Sequence, residues 1–257
     1  MPDFMQMLAP KGLPDFKPGN NLAVSIAQTL EQQNIRLQDG DILVIAHKAV
    51  SKCEGDVYRA EDIIPSDEAR ALAKEVNKDP RKVELILSQS SRIIRAIKRP
   101  GQDEGILIAQ HKLGFICANA AVDESNADNG EMITLPKDPD ASARGICSSL
   151  EQHFGCNLGV VISDTFGRPW RLGQVNVAVG LANVPAVVTQ YGDKDAWGRE
   201  LKVTAPAFAD ELAAASGLLM AKDGKCPVII FRGLDWNPDS TTQASNILRP
   251  EKEDLFK

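Results

Sequence analysis

Apolar residues along this chain gather in short blocks closed off by turn formers, separated by longer stretches in which they recur every three or four positions. The short β-branched blocks predict strands over 41–46 (DILVIA), 105–110 (GILIAQ), 115–120 (FICANA), 159–163 (GVVIS), 184–189 (VPAVVT) and 227–231 (PVIIF). Helical spacing runs through 20–33, after a Pro-Gly turn, and through 66–78, where Ser66 is a natural N-cap and Glu68 adds charge to the first turn. It recurs over 80–97 with Pro80 at an early helical position, over 140–154 with Asp140 as N-cap, and over the alanine-rich 207–221.

Strands and helices mix without strict alternation, which predicts an α+β fold of mixed, irregular sheets with flanking helices. The phosphate-cradling patterns GxGxxG and GxxxxGK[ST] are absent, so the fold is neither Rossmann nor P-loop. No repeat or low-complexity linker divides the chain. It reads as one unit over 1–257, undivided or in two lobes.

Composition narrows the partners. A hydrophobic share of 43%, a charged share of 25% and a mean hydropathy of -0.19 describe an ordinary water-soluble globular protein. A net charge of -6 argues against nucleic acid, while local basic clusters still suit a phosphorylated small molecule. No apolar run reaches the roughly 18 residues that a membrane span needs. The start has no basic segment of the kind that opens a signal peptide, so a cytoplasmic protein is expected. The cysteines (Cys53, Cys117, Cys147, Cys156 and Cys226) form no CxxC pair and are expected to be reduced. His47, His111 and His153 show no HxxxH spacing, so a metal here would be held by oxygen and would be Mg2+ or Mn2+.

Three stretches carry candidate chemistry. In VVISDTFGRPWRLGQ (160–174) a buried strand is expected to end at Asp164 and Thr165, hard oxygen ligands, before a loop holding Arg168 and Arg171. In ICANAAVDESNADNG (116–130) a strand leads to Asn119, Asp123, Ser125 and Asn126, and two such clusters could share one divalent cation. In AHKAVSKCEG (46–55), His47, Lys48 and Lys52 follow a strand and could neutralise phosphates, while Lys52 could lower the pKa of Cys53. Each has a plainer reading: a polar turn with surface ion pairs, an acid-rich loop, and a solvated basic segment. Two further segments complete the survey. Asp193, Asp195, Trp197, Gly198 and Arg199 look like a substrate-facing loop, and Asp210 and Glu211 sit on an apolar helix.

Taken in order, the segments GLPDFKPGNNL, GDILVIAHKAVSKCEG, DPRKVELILSQS, GFICANAAVDESN, LPKDPDASA, ISDTFGRPWRLGQ, GRELKVTAPAFADELAAAS and PVIIFRG resemble the coenzyme F420-0:L-glutamate ligase family over nearly the whole chain. The resemblance implies a γ-glutamyl ligase fold and an intertwined homodimer. It also implies an amide-forming ligase that depends on GTP (or ATP) and on Mg2+ or Mn2+, with K+ as a further candidate cation. By the same resemblance Asp123, Asp164 and Thr165 hold metal. Nucleotide contacts fall on Gly12, Leu13, Pro14, His47, Lys48, Lys52 and Asn126, and on Met220, Ala221 and Lys222. The chain departs from the family at Ala121, where glycine is common, and at Thr189 and Asp193. It departs again at Ala221-Lys222, where a glycine and an acid or amide usually help to hold a second metal. A nitroreductase-like domain, appended in some members, is not expected here.

Such a ligase would convert a carboxylic acid to an acyl phosphate and let an amino acid displace the phosphate, with Arg168, Arg171 and Lys52 as cationic catalytic groups. Three alternatives stay open: ligation of a different organic acid, a metal-dependent phosphohydrolase, and a non-catalytic nucleotide-binding protein. All versions of the enzyme require two separate strand ends to bring Asp123 and Asp164 to one cavity.

Overall fold

The computed structural model describes residues 4–220 and 224–254. The chain begins with β1 (Gln6–Leu8) and α1 (Leu22–Gln32), whose first turn is capped by the Asn21 side chain accepting the Val24 N–H. β2 (Ile42–Ala46) runs directly into α2 (His47–Glu54), which Gly55 stops at a φ of 83°. β3 (Val57–Arg59), α3 (Asp67–Val76) and α4 (Pro80–Gln89) follow, with Ser66 capping α3 as expected. Next come β4 (Ser90–Ile97), β5 (Ile106–His111), β6 (Ile116–Ala118) and β7 (Glu131–Ile133). The remainder is α5 (Pro139–Phe154), β8 (Gly159–Arg168), β9 (Arg171–Ala182), α6 (Phe208–Ser216) and β10 (Val228–Arg232).

This is the expected α+β arrangement of open, mixed sheets. The largest sheet has the order β1-β10-β2-β8-β9, with β2 and β8 parallel and the other neighbours antiparallel. Ile42 to Ile45, Val160 to Ile162 and Val228 to Phe231 are buried on both faces. That is why these strands read as continuous apolar runs and not as alternating ones. A second core forms where α3 and α4 pack near the β4-β5-β6 sheet, around Val76, Val83, Ile86, Leu107 and Ala109. β3 and β7 make a two-stranded ribbon whose Met132 also enters this second core. Among the described residues, no helix is long and apolar enough to cross a membrane.

The segment joining β6 to the following loop serves both cores. Phe115, Cys117 and Ala121 are buried in the first, Ala120 and Val122 in the second. It makes that crossing through three consecutive left-handed residues, Asn119, Ala120 and Ala121, at φ values of 53°, 47° and 57°. A left-handed conformation costs a non-glycine residue about 1–2 kcal/mol, so packing on both sides must hold this turn.

Several expectations are corrected. The helix expected over 80–97 stops at Gln89, and 90–97 is strand β4. Two irregularities of register let Ser90, Ile93 and Ala96 pair with His111, Ala109 and Leu107, so every third residue of β4 meets every second residue of β5. Bulges thus gave a strand the spacing of a helix. The run 184–189 forms no strand: Pro185 has no N–H to donate, and Val188 and Gln190 donate instead to the irregular segment at Pro206 and Thr204. β8 does not end near Asp164 but continues to Arg168. The charged loop expected after it is a hairpin with β9, turning at Pro169 and Trp170. The helix expected to 221 ends at Ser216.

Asp138, not Asp140, caps α5, its side chain accepting the Ala141 N–H. Asp140 turns instead to the outer edge of β9, where it accepts the Leu181 N–H at 2.8 Å and also the Ala244 N–H. Asp210 of α6 accepts the neighbouring Ala178 N–H at 2.9 Å. Two helices therefore close the exposed edge of the sheet with carboxylates, and burial pushes both carboxyl groups up from the ordinary range.

This edge closure is testable. Asp140→Ala leaves two backbone donors without an acceptor and should destabilise the protein by about 1–3 kcal/mol in urea denaturation. Asp140→Asn, which keeps an acceptor oxygen, should lose less.

Candidate active site

The register that pairs Ala46 with Ser163 sets the next residues of the two parallel strands, His47 and Asp164, side by side. His47 Nε2 lies 3.2 Å from Asp164 Oδ1, while its Nδ1 faces Ser51 Oγ at 3.3 Å. The imidazole is 2% exposed, and its Nε2 stands off the hydrogen-bond line of the carboxylate, so it has no hydrogen-bond partner. Ser163 Oγ is likewise buried without a partner. Two buried polar atoms left open at one place mark a site where ligand oxygens would complete the pairing.

One residue further, Lys48 crosses to the loop after the left-handed turn. Its Nζ lies 2.6 Å from Asp123 Oδ2, 2.5 Å from Ser125 Oγ and 3.0 Å from the Ser125 carbonyl oxygen. Asp123 Oδ1 also accepts the Ser125 N–H at 2.9 Å. Burial alone would push the Asp123 carboxyl up, but the Lys48 ammonium and the Ser125 N–H and hydroxyl outweigh it and hold it well below the usual carboxylate range. Consecutive residues at the start of α2 thus reach two carboxylates delivered by different sheets. No side chain caps α2, so its positive end also faces this place.

Asp164 is anchored locally as well. Its Oδ1 accepts the Thr165 N–H at 2.7 Å, and Thr165 Oγ1 donates to Asn176 Oδ1 at 2.8 Å across the β8–β9 ladder. Sequence reasoning missed Asn176 because it missed β9. The Arg-Pro-Trp-Arg turn was the signal that would have placed Asn176 opposite Thr165.

These groups border a cleft of about 1170 Å³ whose walls come from both cores. Its size suits a nucleotide together with a second substrate. Leu13, Pro14, His47, Lys48, Lys52, Asp123, Asn126, Asp164, Thr165 and Met220 all line it. Gly12 stands just outside, at a φ of 82°. Ala221 and Lys222 lie outside the described residues. Arg168 and Arg171 are not in the cleft: both are exposed at the tip of the β8–β9 hairpin, where Arg168 donates to the Leu172 carbonyl oxygen. The loop holding Asp193, Asp195, Trp197, Gly198 and Arg199 does not face the cleft of its own chain either. It folds on itself, Asp195 accepting the N–H groups of Trp197 and Arg199. Lys52 does not activate Cys53, whose thiol is pushed up to about 11 by burial and by Glu54. The sequence survey also did not single out Ser163, Tyr58, Arg59 and Glu131, which line the cleft.

The donor set decides which cation would fit. Asp123, Asp164 and Thr165 offer hard oxygens, and among the described residues no group of three or more His, Cys, Asp or Glu is arranged to hold an ion. Two carboxylates with phosphate oxygens and water completing the shell is the pattern Mg2+ favours, and it fits these residues. Without a cation, the two acids would repel a polyphosphate brought in by Lys48 and Lys52.

Residues 12–233 match the family described as F420-0:Gamma-glutamyl ligase. The chain is 42% identical to the coenzyme F420:L-glutamate ligase of Methanothermobacter thermautotrophicus, covering 98% of this chain and 99% of that protein. It is 43% identical to the enzyme of the same name from Methanopyrus kandleri, covering 94% and 93% respectively. To that from Methanocaldococcus jannaschii it is 42% identical, covering 95% and 94%.

The Lys48–Asp123 pair predicts a pH signature. A carboxyl held low in the folded state adds stability that is present above the ordinary aspartate pKa of about 3.9 and is lost as pH falls below it. Lys48→Met should raise the Asp123 pKa in a carboxyl ¹³C NMR titration and flatten that acid-limb loss in denaturation curves.

Proposed function

The chain belongs to the F420-0:gamma-glutamyl ligase family, and on that premise we propose that it joins L-glutamate to coenzyme F420-0, using a nucleoside triphosphate, GTP by resemblance, to activate the acid. It is a ligase; the observation that carries the finer reading is the gathering of two carboxylates from separate sheets, by His47 and Lys48, at one cleft.

A carboxylate does not condense with an amine in water, because it has no leaving group. Transfer of the γ-phosphoryl group to a carboxylate oxygen of the acceptor forms an acyl phosphate and releases the nucleoside diphosphate. The glutamate amine then attacks the carbonyl carbon, the C–O bond to phosphate breaks, and inorganic phosphate leaves with that electron pair. The amine gives up its proton as the amide forms. This chemistry asks the protein for alignment, charge neutralisation and exclusion of water. Asp123, Asp164 and Thr165 would hold Mg2+ or Mn2+, which when bound neutralises phosphate charge. Lys48 and Lys52 place ammonium groups along the same wall, and the uncapped start of α2 adds its backbone dipole. His47 Nε2 and Ser163 Oγ lie buried next to Asp164 without hydrogen-bond partners, polar atoms that a ligand oxygen reaching this end of the cleft would satisfy. No covalent nucleophile is required.

The exposed hairpin tip supports reading the active species as a homodimer. Trp170 is 80% exposed and Leu172 98%, between and beside the two arginines absent from their own cleft. Large apolar side chains left bare in this way suit a subunit contact. Pairing of two copies would give Arg168 and Arg171 a route to the partner's substrates.

Four outcomes are expected. Nucleoside diphosphate and phosphate should appear only when acid and amine are both present, with a product at their summed mass less water. Release without the amine would mean a hydrolase, and no release a binder. Asp164→Asn should lower turnover by roughly 10²–10³-fold while leaving thermal stability near wild type, because the amide oxygen still accepts the Thr165 N–H. Light scattering should give twice the 27.8 kDa chain mass. Changing Trp170 and Leu172 to serine should give monomers with little turnover.

A further inference from the structure

The loop that carries Asp123 is strapped from two sides, and only one strap belongs to the cleft. Asp123 and Ser125 turn toward Lys48 on α2. Glu124, between them in sequence, turns the other way, and its Oε2 accepts a hydrogen bond of 2.5 Å from Lys82 Nζ on α4. Lys82 sits one residue before Val83 of the second core and is 9% exposed. A buried ammonium needs a carboxylate close by, because desolvation of an unpaired charge is costly. Glu104 does not fill that role: it lies 3.8 Å from Lys82 and is engaged by Lys78 at 2.7 Å. Glu124 is therefore the near partner that Lys82 requires.

We propose that Lys82 is a positioning residue for the cation site: by holding Glu124, it fixes the backbone from which the Asp123 carboxylate projects. The backbone of Asp123 is already paired with Ile133, its N–H donating at 3.0 Å and its carbonyl oxygen accepting at 2.8 Å. One residue later the Lys82 contact removes the remaining freedom of the loop to turn. This matters because Lys48 cannot serve phosphate and Asp123 equally. When its ammonium turns to a phosphate oxygen, the strap on the cleft side slackens, and the one on the α4 side stays. Lys82 touches no substrate in this arrangement and does not line the cleft. Its effect is on where a ligand oxygen stands, the kind of outer support whose loss weakens metal binding without removing a ligand.

The inference rests on Asp123 being a cation ligand, so the experiment separates the two. Mn2+ binding to the full chain in the presence of nucleotide is measured by EPR, alongside kcat, the nucleotide KM and thermal stability. Asp123→Asn tests the ligand reading: unchanged Mn2+ affinity there removes Asp123 from the site, and with it the basis for Lys82. With that control positive, Lys82→Met and Glu124→Gln should each weaken Mn2+ binding by roughly 10–100-fold, raising the Mn2+ concentration for half-maximal rate with a smaller change in kcat at saturating metal. Lys82→Arg, which keeps a cation for Glu124, should recover most of the affinity. Should Lys82→Met fail to fold, Glu124→Gln at the more exposed end of the pair carries the test. Wild-type Mn2+ affinity in Glu124→Gln or in a folded Lys82→Met, whatever the loss of stability, would show a purely structural pair and overturn the proposal.

Discussion

The parallel pairing of β2 with β8 is the constraint on which the rest of this molecule depends. Among the described residues it is the one parallel contact of the large sheet, and its register stops Ala46 beside Ser163. The next residue on one strand begins a helix and on the other continues a hairpin. An imidazole, an ammonium and a helix N-terminus therefore meet a carboxylate at the same edge. A slip of one residue would turn Asp164 to the opposite face of its strand, and the cleft would lose a ligand without losing any of its core.

How much of this was legible in the chain depended on how completely each segment is buried. β2, β10 and the first half of β8 announce themselves because water is excluded from both sides, leaving an apolar run with few alternatives. The far half of β8 and nearly all of β9 before Val175 are polar, because hairpin pairing and not burial makes them strands. A reading by hydrophobicity saw a loop there, and the alternating stretch from Val175 to Ala182 beyond it, which holds Asn176, was passed over as well. β4 misled for a different reason: its bulges impose a spacing of three on the residues facing the core. Among the site residues, Asp123, Asp164, His47 and Lys48 were found as oxygen donors and cations following apolar runs, and they do border one cleft. Arg168 and Arg171 were grouped with them by proximity in sequence, whereas ten-residue strands carry their ends well away from their starts. Asp140 was read as a cap because it opens a helix. Its real partners, Leu181 and Ala244, are distant in sequence and could not be seen from one segment.

The electrostatics of the cleft follow from mixing signs at short range. Acids alone would repel a nucleotide, and lysines alone would bind phosphate without placing a metal. Here the Lys48 ammonium compensates Asp123 and the His47 imidazole stands beside Asp164, both from the same helix turn. That balance also accounts for an acidic protein with a phosphate-suited site: the net charge of -6 is spread over the surface and says little about the wall of one cleft.

The left-handed crossing from Asn119 to Ala121 has a consequence for motion. Its residues alternate between two hydrophobic interiors, with methyl groups of adjacent alanines pointing into different ones. A peptide already seated in a narrow, costly conformational well has no slack to give in either direction, and neither interior can shift there without tearing contacts from the other. The floor bearing Asp123 is thus a rigid joint.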